Sequence, residues 1–208
     1  MRTVKNNFVM TLLLFMFMFT PVMALADGAY VTGMGGYTFV PDVHAEFYDA
    51  KIGSASVEDG YKAGGSVGYD FGSFRAEAEV SNYWNDIESV STPFIPALTG
   101  SGDASIFAVM GNVFYDIEIG KSGITPYVGG GVGWAQVDLE GSIGGLSGKV
   151  SDSGLAYQLI GGVSYDMTEN LAVFTDYRYL RMDTLDMPLD IKADLEIHSV
   201  NAGVRFNF

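Results

Sequence analysis

Residues 199–208, SVNAGVRFNF, alternate in steps of two along the chain. Val200, Ala202, Val204, Phe206 and Phe208 are apolar, and each residue between them is polar or small. Successive side chains of a β-strand point to opposite sides, so this pattern predicts a strand with one apolar and one polar face. The apolar face of such a strand packs on a core in a soluble protein and contacts lipid in a membrane-spanning barrel.

Seven further segments repeat this alternation. The predicted strands are residues 29–39, 58–70, 74–84, 105–117, 124–137, 155–165, 171–180 and 195–208. Short connections at 71–73, 118–123 and 166–170 alternate with long ones at 40–57, 85–104, 138–154 and 181–194. Outer-membrane barrels combine an even strand number with short periplasmic turns and long extracellular loops. We therefore predict an all-β fold, an eight-stranded antiparallel up-and-down transmembrane β-barrel with both chain ends on the periplasmic side.

The same segments carry a family resemblance. The terminal Phe208, preceded by alternating aromatic and aliphatic residues, resembles the assembly signal of bacterial outer-membrane barrels. The segments TPYVGGGVGWA (125–135) and YQLIGGVSYDMTENLAVFTDYRYL (157–180) are similar to the small eight-stranded outer membrane protein β-barrel family, which includes the OmpA-like transmembrane domain and proteobacterial surface antigens. The resemblance implies a Gram-negative outer membrane, with its lipids and lipopolysaccharide as partners. It also implies periplasmic chaperones and the barrel-assembly machinery as partners, with Phe206 and Phe208 as the assembly signal.

Residues 1–26 are predicted to form a secretory signal peptide. A positively charged start, an apolar run at 8–19 and an Ala-Leu-Ala cleavage site at 24–26 follow the order of such peptides. The alternative is an uncleaved anchor helix, but the apolar run is shorter than the roughly 20 residues of a usual span. Residues 27–208 then form the barrel domain, with a formal net charge of −14 − 2 = −16.

The composition excludes two classes of chemistry. The chain has 208 residues, which suits one domain, and no cysteine, which excludes disulfides and thiol catalysis. Its formal net charge of −14 makes nucleic acid an unsuitable partner, because phosphate contacts require lysine and arginine.

Aromatic residues collect at the two ends of the predicted strands. Those beside the short turns or the C-terminus are Tyr69, Phe71, Phe74, Tyr115, Tyr165, Phe206 and Phe208, and those near the long connections are Trp84, Trp134 and Tyr179. Two such bands match the interfacial girdles of a membrane-spanning barrel. The alternative is a soluble eight-stranded barrel of lipocalin type, in which aromatic residues fill the core and the charged faces point to water.

The polar faces place six charged residues in the interior if the apolar faces contact lipid. They are Arg75, Glu77, Glu79, Asp176, Arg178 and Arg205. Eight strands enclose a space that side chains just fill, and buried charges are costly unless they pair. We expect a charge network that plugs a polar interior, with a narrow or gated ion path between the pairs as the alternative.

No catalytic residue, cofactor site or metal site is predicted. His198 and Ser199 invite comparison with outer-membrane lipid A deacylases, which use a His-x-Ser arrangement. Here the two residues are adjacent, so in a strand they face opposite sides and cannot share a proton. Acids in the first and fourth long connections could hold calcium, although a solvated surface is the simpler interpretation.

These observations favour a non-enzymatic protein. We expect an envelope-structural or surface-exposed role of the antigen or adhesion type, with the outer loops available to a host or environmental ligand. The alternatives are a narrow porin or ion channel for small solutes and an outer-membrane lipid-modifying enzyme.

Overall fold

Eleven strands, β1 to β11 in chain order, form the described part of the chain. They are β1 Ala29–Phe39, β2 Val43–Phe47, β3 Ala50–Val57, β4 Gly60–Asp70, β5 Phe74–Thr92, β6 Ile95–Leu98, β7 Ser101–Asp116, β8 Ile124–Ile143, β9 Leu146–Asp166, β10 Leu171–Met187 and β11 Ile191–Asn207. Among the described residues, no helix is long and apolar enough to cross a membrane.

The computed structural model describes most of the chain beyond its N-terminal segment. The backbone is described for residues 28–39, 43–47, 50–57, 59–92, 95–98, 101–120, 122–143, 146–187 and 191–208. Side chains are described for residues 28–39, 59–85, 102–120, 122–138, 151–182 and 195–208. The predicted signal peptide and its cleavage site lie outside these residues.

Eight of the strands close into a barrel. In the order β1-β4-β5-β7-β8-β9-β10-β11 all neighbours pair antiparallel, and β11 pairs back onto β1. The closing pair runs from Tyr30 opposite Asn207 to Phe39 opposite His198. Closure gives the backbone N–H and C=O groups partners at membrane depth, where water cannot serve them. The predicted eight-stranded antiparallel barrel is confirmed.

The predicted long connections are mostly strand. β8 and β9 stay paired up to Ile143 opposite Leu146, so the predicted connection 138–154 is a hairpin. β10 and β11 stay paired to Met187 opposite Ile191, and β3 and β6 pair with the outer end of β5. The alternation of the sequence stops earlier because both faces of a strand contact water once it leaves the membrane, although backbone pairing continues.

The two faces of the barrel wall differ in polarity. Outward-facing Val132 and Leu159 are 64% and 62% exposed, whereas inward-facing Glu79 and Arg178 are 0% and 2% exposed. A soluble barrel of lipocalin type would carry the apolar side chains inside and the charges outside. The observed facing is the reverse, so that alternative is wrong and the apolar outer surface is the one that lipid covers.

The height of the outer apolar band fits a bilayer. On β4 the band runs from Tyr69 to Tyr61, 69 − 61 = 8 residue steps, and on β8 it runs from Ile124 to Trp134, 134 − 124 = 10 steps. At about 3.3 Å per residue and a strand tilt of about 40°, these segments rise roughly 20–25 Å. The apolar band of outer-membrane barrels is roughly 25 Å tall.

The structure places eight aromatic residues of the predicted girdles on the outer surface. Those at the short-turn end, all exposed, are Tyr69, Phe71, Phe74, Tyr115 and Tyr165. At the opposite end Trp134 is exposed, and Trp84 and Tyr179 are partly covered. The Tyr69 and Phe71 ring centroids lie 4.7 Å apart, and those of Phe74 and Tyr115 lie 5.1 Å apart, so neighbouring rings pack against each other.

Glycines on the inner face make room for large side chains of the neighbouring strand. Gly129 lies opposite Phe114 and Gly131 opposite Asn112. A Cβ atom on Gly129 would lie 2.5 Å from the Phe114 ring, and one on Gly131 would overlap the Asn112 amide. Gly129 and Gly131 therefore supply space inside a narrow barrel, at positions where only glycine leaves room for the large neighbour.

Candidate functional site

A polar cluster crosses the middle of the barrel, with the Glu79 carboxylate at its centre. Lys62 Nζ donates to Glu79 Oε1 at 3.1 Å, and Arg178 Nη1 donates to Oε2 at 2.5 Å. The amides of Asn112 and Gln158 also donate to Oε2, at 2.8 and 3.3 Å. Glu79 is on β5 and Arg178 on β10, four strand neighbours apart in the ring of eight, so this ion pair spans the lumen.

Asp176 extends the cluster toward β11 and β8. Arg178 Nη2 donates to Asp176 Oδ2 at 2.9 Å, which gives the guanidinium a second carboxylate partner. Asn201 Nδ2 donates to Asp176 Oδ1 at 2.8 Å, and the Tyr127 hydroxyl donates to Oδ2 at 3.2 Å. Every one of these side chains is at least nine-tenths buried, so the charges compensate one another rather than being compensated by solvent.

A second charged layer lies nearer the short turns. Arg75 donates to both oxygens of Asp116, from Nε at 2.7 Å and from Nη2 at 2.8 Å. Glu77 accepts from the Tyr30 hydroxyl at 2.8 Å and from Ser66 Oγ at 2.9 Å, and its Oε1 lies 3.6 Å from Arg75 Nη1. The two parallel hydrogen bonds from the Arg75 guanidinium to the Asp116 carboxylate connect β5 to β7 on the inside of the barrel.

Arg205 differs from the other predicted interior charges. Its Nη2 lies 3.8 Å from Asp166 Oδ1, beyond hydrogen-bond distance, and the Asp166 side chain is 51% exposed. Its Nε is buried without a hydrogen-bond partner, and its guanidinium lies 5.6 Å from the Tyr30 ring centroid. The structure thus joins Arg75, Glu77, Glu79, Asp176 and Arg178 in pairs and leaves Arg205 beside them.

Sequence reasoning missed two members of the charge network, Lys62 and Asp116. Lys62 is on the polar face of the predicted strand 58–70, and Asp116 continues the inward series that Asn112 begins on β7. The two-residue alternation of the strands was therefore sufficient to predict that Lys62 and Asp116 point inward. With them, the buried charged side chains of the described residues are four cations and four carboxylates: Lys62, Arg75, Arg178, Arg205, Glu77, Glu79, Asp116 and Asp176.

The outer half of the interior also holds an apolar cluster, which was not predicted from the sequence. Its members are Tyr83, Ile106, Ala108, Met110, Ala135, Val137, Ala156, Leu180, Met182 and Ile197. Buried polar side chains, among them Thr38 and Asn85, lie in the same half. On β7 both faces are apolar along this stretch, so the period of two residues gives the facing of the side chains but their polarity does not. The cluster forms a closely packed apolar layer between the ion pairs and the extracellular end of the barrel.

Little free volume remains between the layers. A cavity of about 10 Å³ lies between Arg75, Glu77, Arg178 and Arg205. Such a volume holds about one water molecule. This cavity therefore has room for nothing larger than a small ion.

His198 and Ser199 lie on opposite faces of β11. Ser199 is buried inside and accepts a hydrogen bond from Asn201 Nδ2 at 3.2 Å. His198 lies outside, where it stacks on Phe39 with centroids 6.1 Å apart and bonds to the Tyr177 hydroxyl. The described residues contain no group of three metal-ligating side chains, and the side chains of the acids considered for calcium lie outside the described set.

Comparison with known proteins extends this picture. The model of the family described as outer membrane protein beta-barrel domain matches residues 10–208. An uncharacterised protein of Brucella abortus is 29% identical over 138 residues, which are 50% of this chain and 48% of that protein. The chain spans about half the length of this and three further Brucella relatives. The opacity protein opA66 of Neisseria gonorrhoeae is 26% identical over 188 residues, covering 69% of this chain and 76% of that one.

Solved structures show the same fold. Neisserial surface protein A matches with a TM-score of 0.59 and 21% identity over 88% of this chain and 98% of that one. The outer membrane protein OprG of Pseudomonas aeruginosa matches with a TM-score of 0.56 and 18% identity over 88% and 97%. The attachment invasion locus protein of Yersinia pestis, in complex with the heparin analogue sucrose octasulfate, matches with a TM-score of 0.50 and 17% identity over 87% and 100%.

Proposed function

From the premise that this chain belongs to the outer membrane protein β-barrel family, we propose that it serves as an envelope-structural or adhesion-type barrel at the cell surface. The barrel lies in the bacterial outer membrane, in contact with its lipids and lipopolysaccharide. The observation that carries the proposal is the Arg178–Glu79 ion pair, which crosses the lumen and separates its two halves. Such a barrel acts through its outer ends rather than through its interior.

The extended hairpins are where we place the contact with a host or environmental ligand. Short turns face the periplasm in outer-membrane barrels, so the continuations of β5, β7, β8, β9, β10 and β11 reach outward from the cell. Two similar proteins are named for opacity and for the neisserial surface, and a third is solved with a heparin analogue. These names support a surface role for this chain.

Replacing residues 139–150 by a two-residue turn tests the surface role. Cells that display the shortened protein are expected to adhere to host cells less than cells that display equal amounts of the full chain. The barrel strands below Asp138 stay intact, so equal folding in the membrane serves as the control. Equal adherence of both strains, at the level of cells without the protein, would contradict the adhesion-type role.

A closed interior is tested by single-channel recording of the refolded chain in a planar bilayer. We expect a silent barrel, because paired charges and the apolar cluster fill the lumen. A steady conductance would support the second candidate, a narrow channel, which the polar cavity beside Arg75 and Arg178 favours. In that case Arg178→Glu would change the ion selectivity.

We also propose that the protein is not an enzyme. The geometry behind this proposal is the placement of His198 outside and Ser199 inside the barrel, where no proton can pass between them directly. Incubating the refolded chain with lipopolysaccharide is expected to leave its acyl chains intact, and release of free fatty acid would overturn the proposal.

Phe206 and Phe208 are proposed as the signal that the assembly machinery and its chaperones recognise. Phe206 is 46% exposed on the outer surface, and Phe208 N donates to Ala29 O at 3.0 Å. Removing Phe208 costs the folded barrel one backbone hydrogen bond and a ring contact with Phe206. The shortened chain should refold in detergent like the full chain but be depleted from the outer membrane of living cells. Equal levels in cells would contradict the signal.

A further inference from the structure

We propose that the periplasmic half of the barrel interior binds one small monovalent anion of the chloride class beside Arg205. The proposal rests on the cavity between the two charged layers and on the donors that line it. It concerns a site within the interior and is independent of what the outer hairpins contact.

Arginine donors converge on this cavity. Arg205 is 9% exposed, its Nε has no hydrogen-bond partner, and its Nη2 lies 3.8 Å from the partly exposed Asp166. Arg75 and Arg178 line the same cavity, and each is hydrogen-bonded to a carboxylate. An arginine offers five N–H donors and no acceptor, so a buried guanidinium without an acceptor is costly.

The lining of the cavity carries three guanidinium groups, those of Arg75, Arg178 and Arg205, and one carboxylate, that of Glu77. Glu77 Oε1 accepts from Tyr30 and Glu77 Oε2 from Ser66, and both oxygens of Asp116 accept from Arg75. A water molecule at this site would need acceptors for its own two protons. A halide only accepts hydrogen bonds, so it matches the local excess of guanidinium groups on the cavity lining.

Size and access restrict the ligand. The cavity of about 10 Å³ admits a monatomic ion and is too small for phosphate, sulfate or a carboxylate. Arg205 reaches toward Asp166, the last residue of β9, and that side chain is half exposed beside the short β9–β10 turn. The ion would therefore enter from the periplasm, and the Glu79–Arg178 layer would stop it from going further.

Thermal unfolding of the refolded full chain in equimolar sodium chloride and sodium gluconate tests the site. Gluconate is too large for the cavity. At chloride about ten times above its dissociation constant, the unfolding midpoint should be roughly 3 °C higher than in gluconate. Arg205→Gln should abolish this difference. Arg181→Gln, at an arginine on the outer surface, should keep it and controls for general salt effects.

Two results would overturn the anion site. One is a wild-type midpoint that is equal in chloride and gluconate, and the other is a chloride shift that survives in Arg205→Gln. If Arg205→Gln fails to fold, crystals of the unmodified chain grown in sodium bromide decide the question. An anomalous bromide peak within about 3.5 Å of Arg205 Nε supports the site, and an empty or water-filled cavity contradicts it.

Discussion

Glu79→Gln is expected to lower the free energy of unfolding by about 3–5 kcal/mol. The side chains of Lys62 and Glu79 are both 0% exposed, so the substitution leaves the Lys62 ammonium buried without its carboxylate. Arg178 loses one of its two acids and keeps Asp176. Urea titration of the refolded barrel in lipid vesicles measures the change through tryptophan fluorescence. The chain has two tryptophans, and Trp134 is exposed on the outer surface and reports on barrel integrity.

The double variant Lys62→Met/Glu79→Gln separates charge pairing from packing. Methionine fills similar space without a charge, so the double variant should recover most of the stability that Glu79→Gln loses. Glu196→Gln is the matched control, because its pair with Arg181 is 3.2 Å long but a third exposed. Exposed pairs contribute about 0–1 kcal/mol. Equal losses for Glu79→Gln and Glu196→Gln would contradict the role assigned to the interior network.

Gly162→Ala is expected to destabilise the barrel by about 1–3 kcal/mol, through overpacking rather than lost charge. A Cβ atom at this position would lie 2.6 Å from the backbone oxygen of Thr175 and 2.7 Å from both Asp176 Cβ and the Tyr127 ring. The backbone oxygen cannot move without breaking the β9–β10 ladder. Displacing Asp176 or Tyr127 would also disturb the hydrogen bond between them. The expected readout is a lower urea midpoint with an unchanged slope.

Gly161→Ala, one position earlier, is the matched control. Gly161 faces outward and its Cβ would meet nothing within 4 Å. Alanine there should be neutral or slightly stabilising, since it restricts the unfolded backbone more than glycine does. If the two alanine variants had the same midpoint, the inner face would not be packed as closely as the positions of Tyr127 and Asp176 indicate.

The residues changed in these variants also show what the sequence pattern can predict and what it cannot. The direction in which Gly161, Gly162, Lys62 and Glu79 point follows from period two, and the strands were predicted on that basis. Polarity was less informative where it did not alternate. On β7 the inward Ile106 and Met110 lie beside outward apolar residues, and the outer hairpins lose the pattern because water surrounds both faces.

The sequence of each segment was sufficient to predict the eight-stranded barrel and its apolar outer band. It was also sufficient to predict the inward direction of Arg75, Glu79, Arg178 and Arg205. The backbone geometry of a strand points successive side chains to opposite sides. One side contacts lipid and the other lines the interior, which require apolar and polar side chains respectively, so the facing of each strand can be predicted from its own sequence. Which charges meet depended on the tertiary structure. The register of eight closed strands sets the height of each inward side chain, and only that register brings Arg178 across the lumen to Glu79 and places Arg205 Nη2 3.8 Å from Asp166 Oδ1.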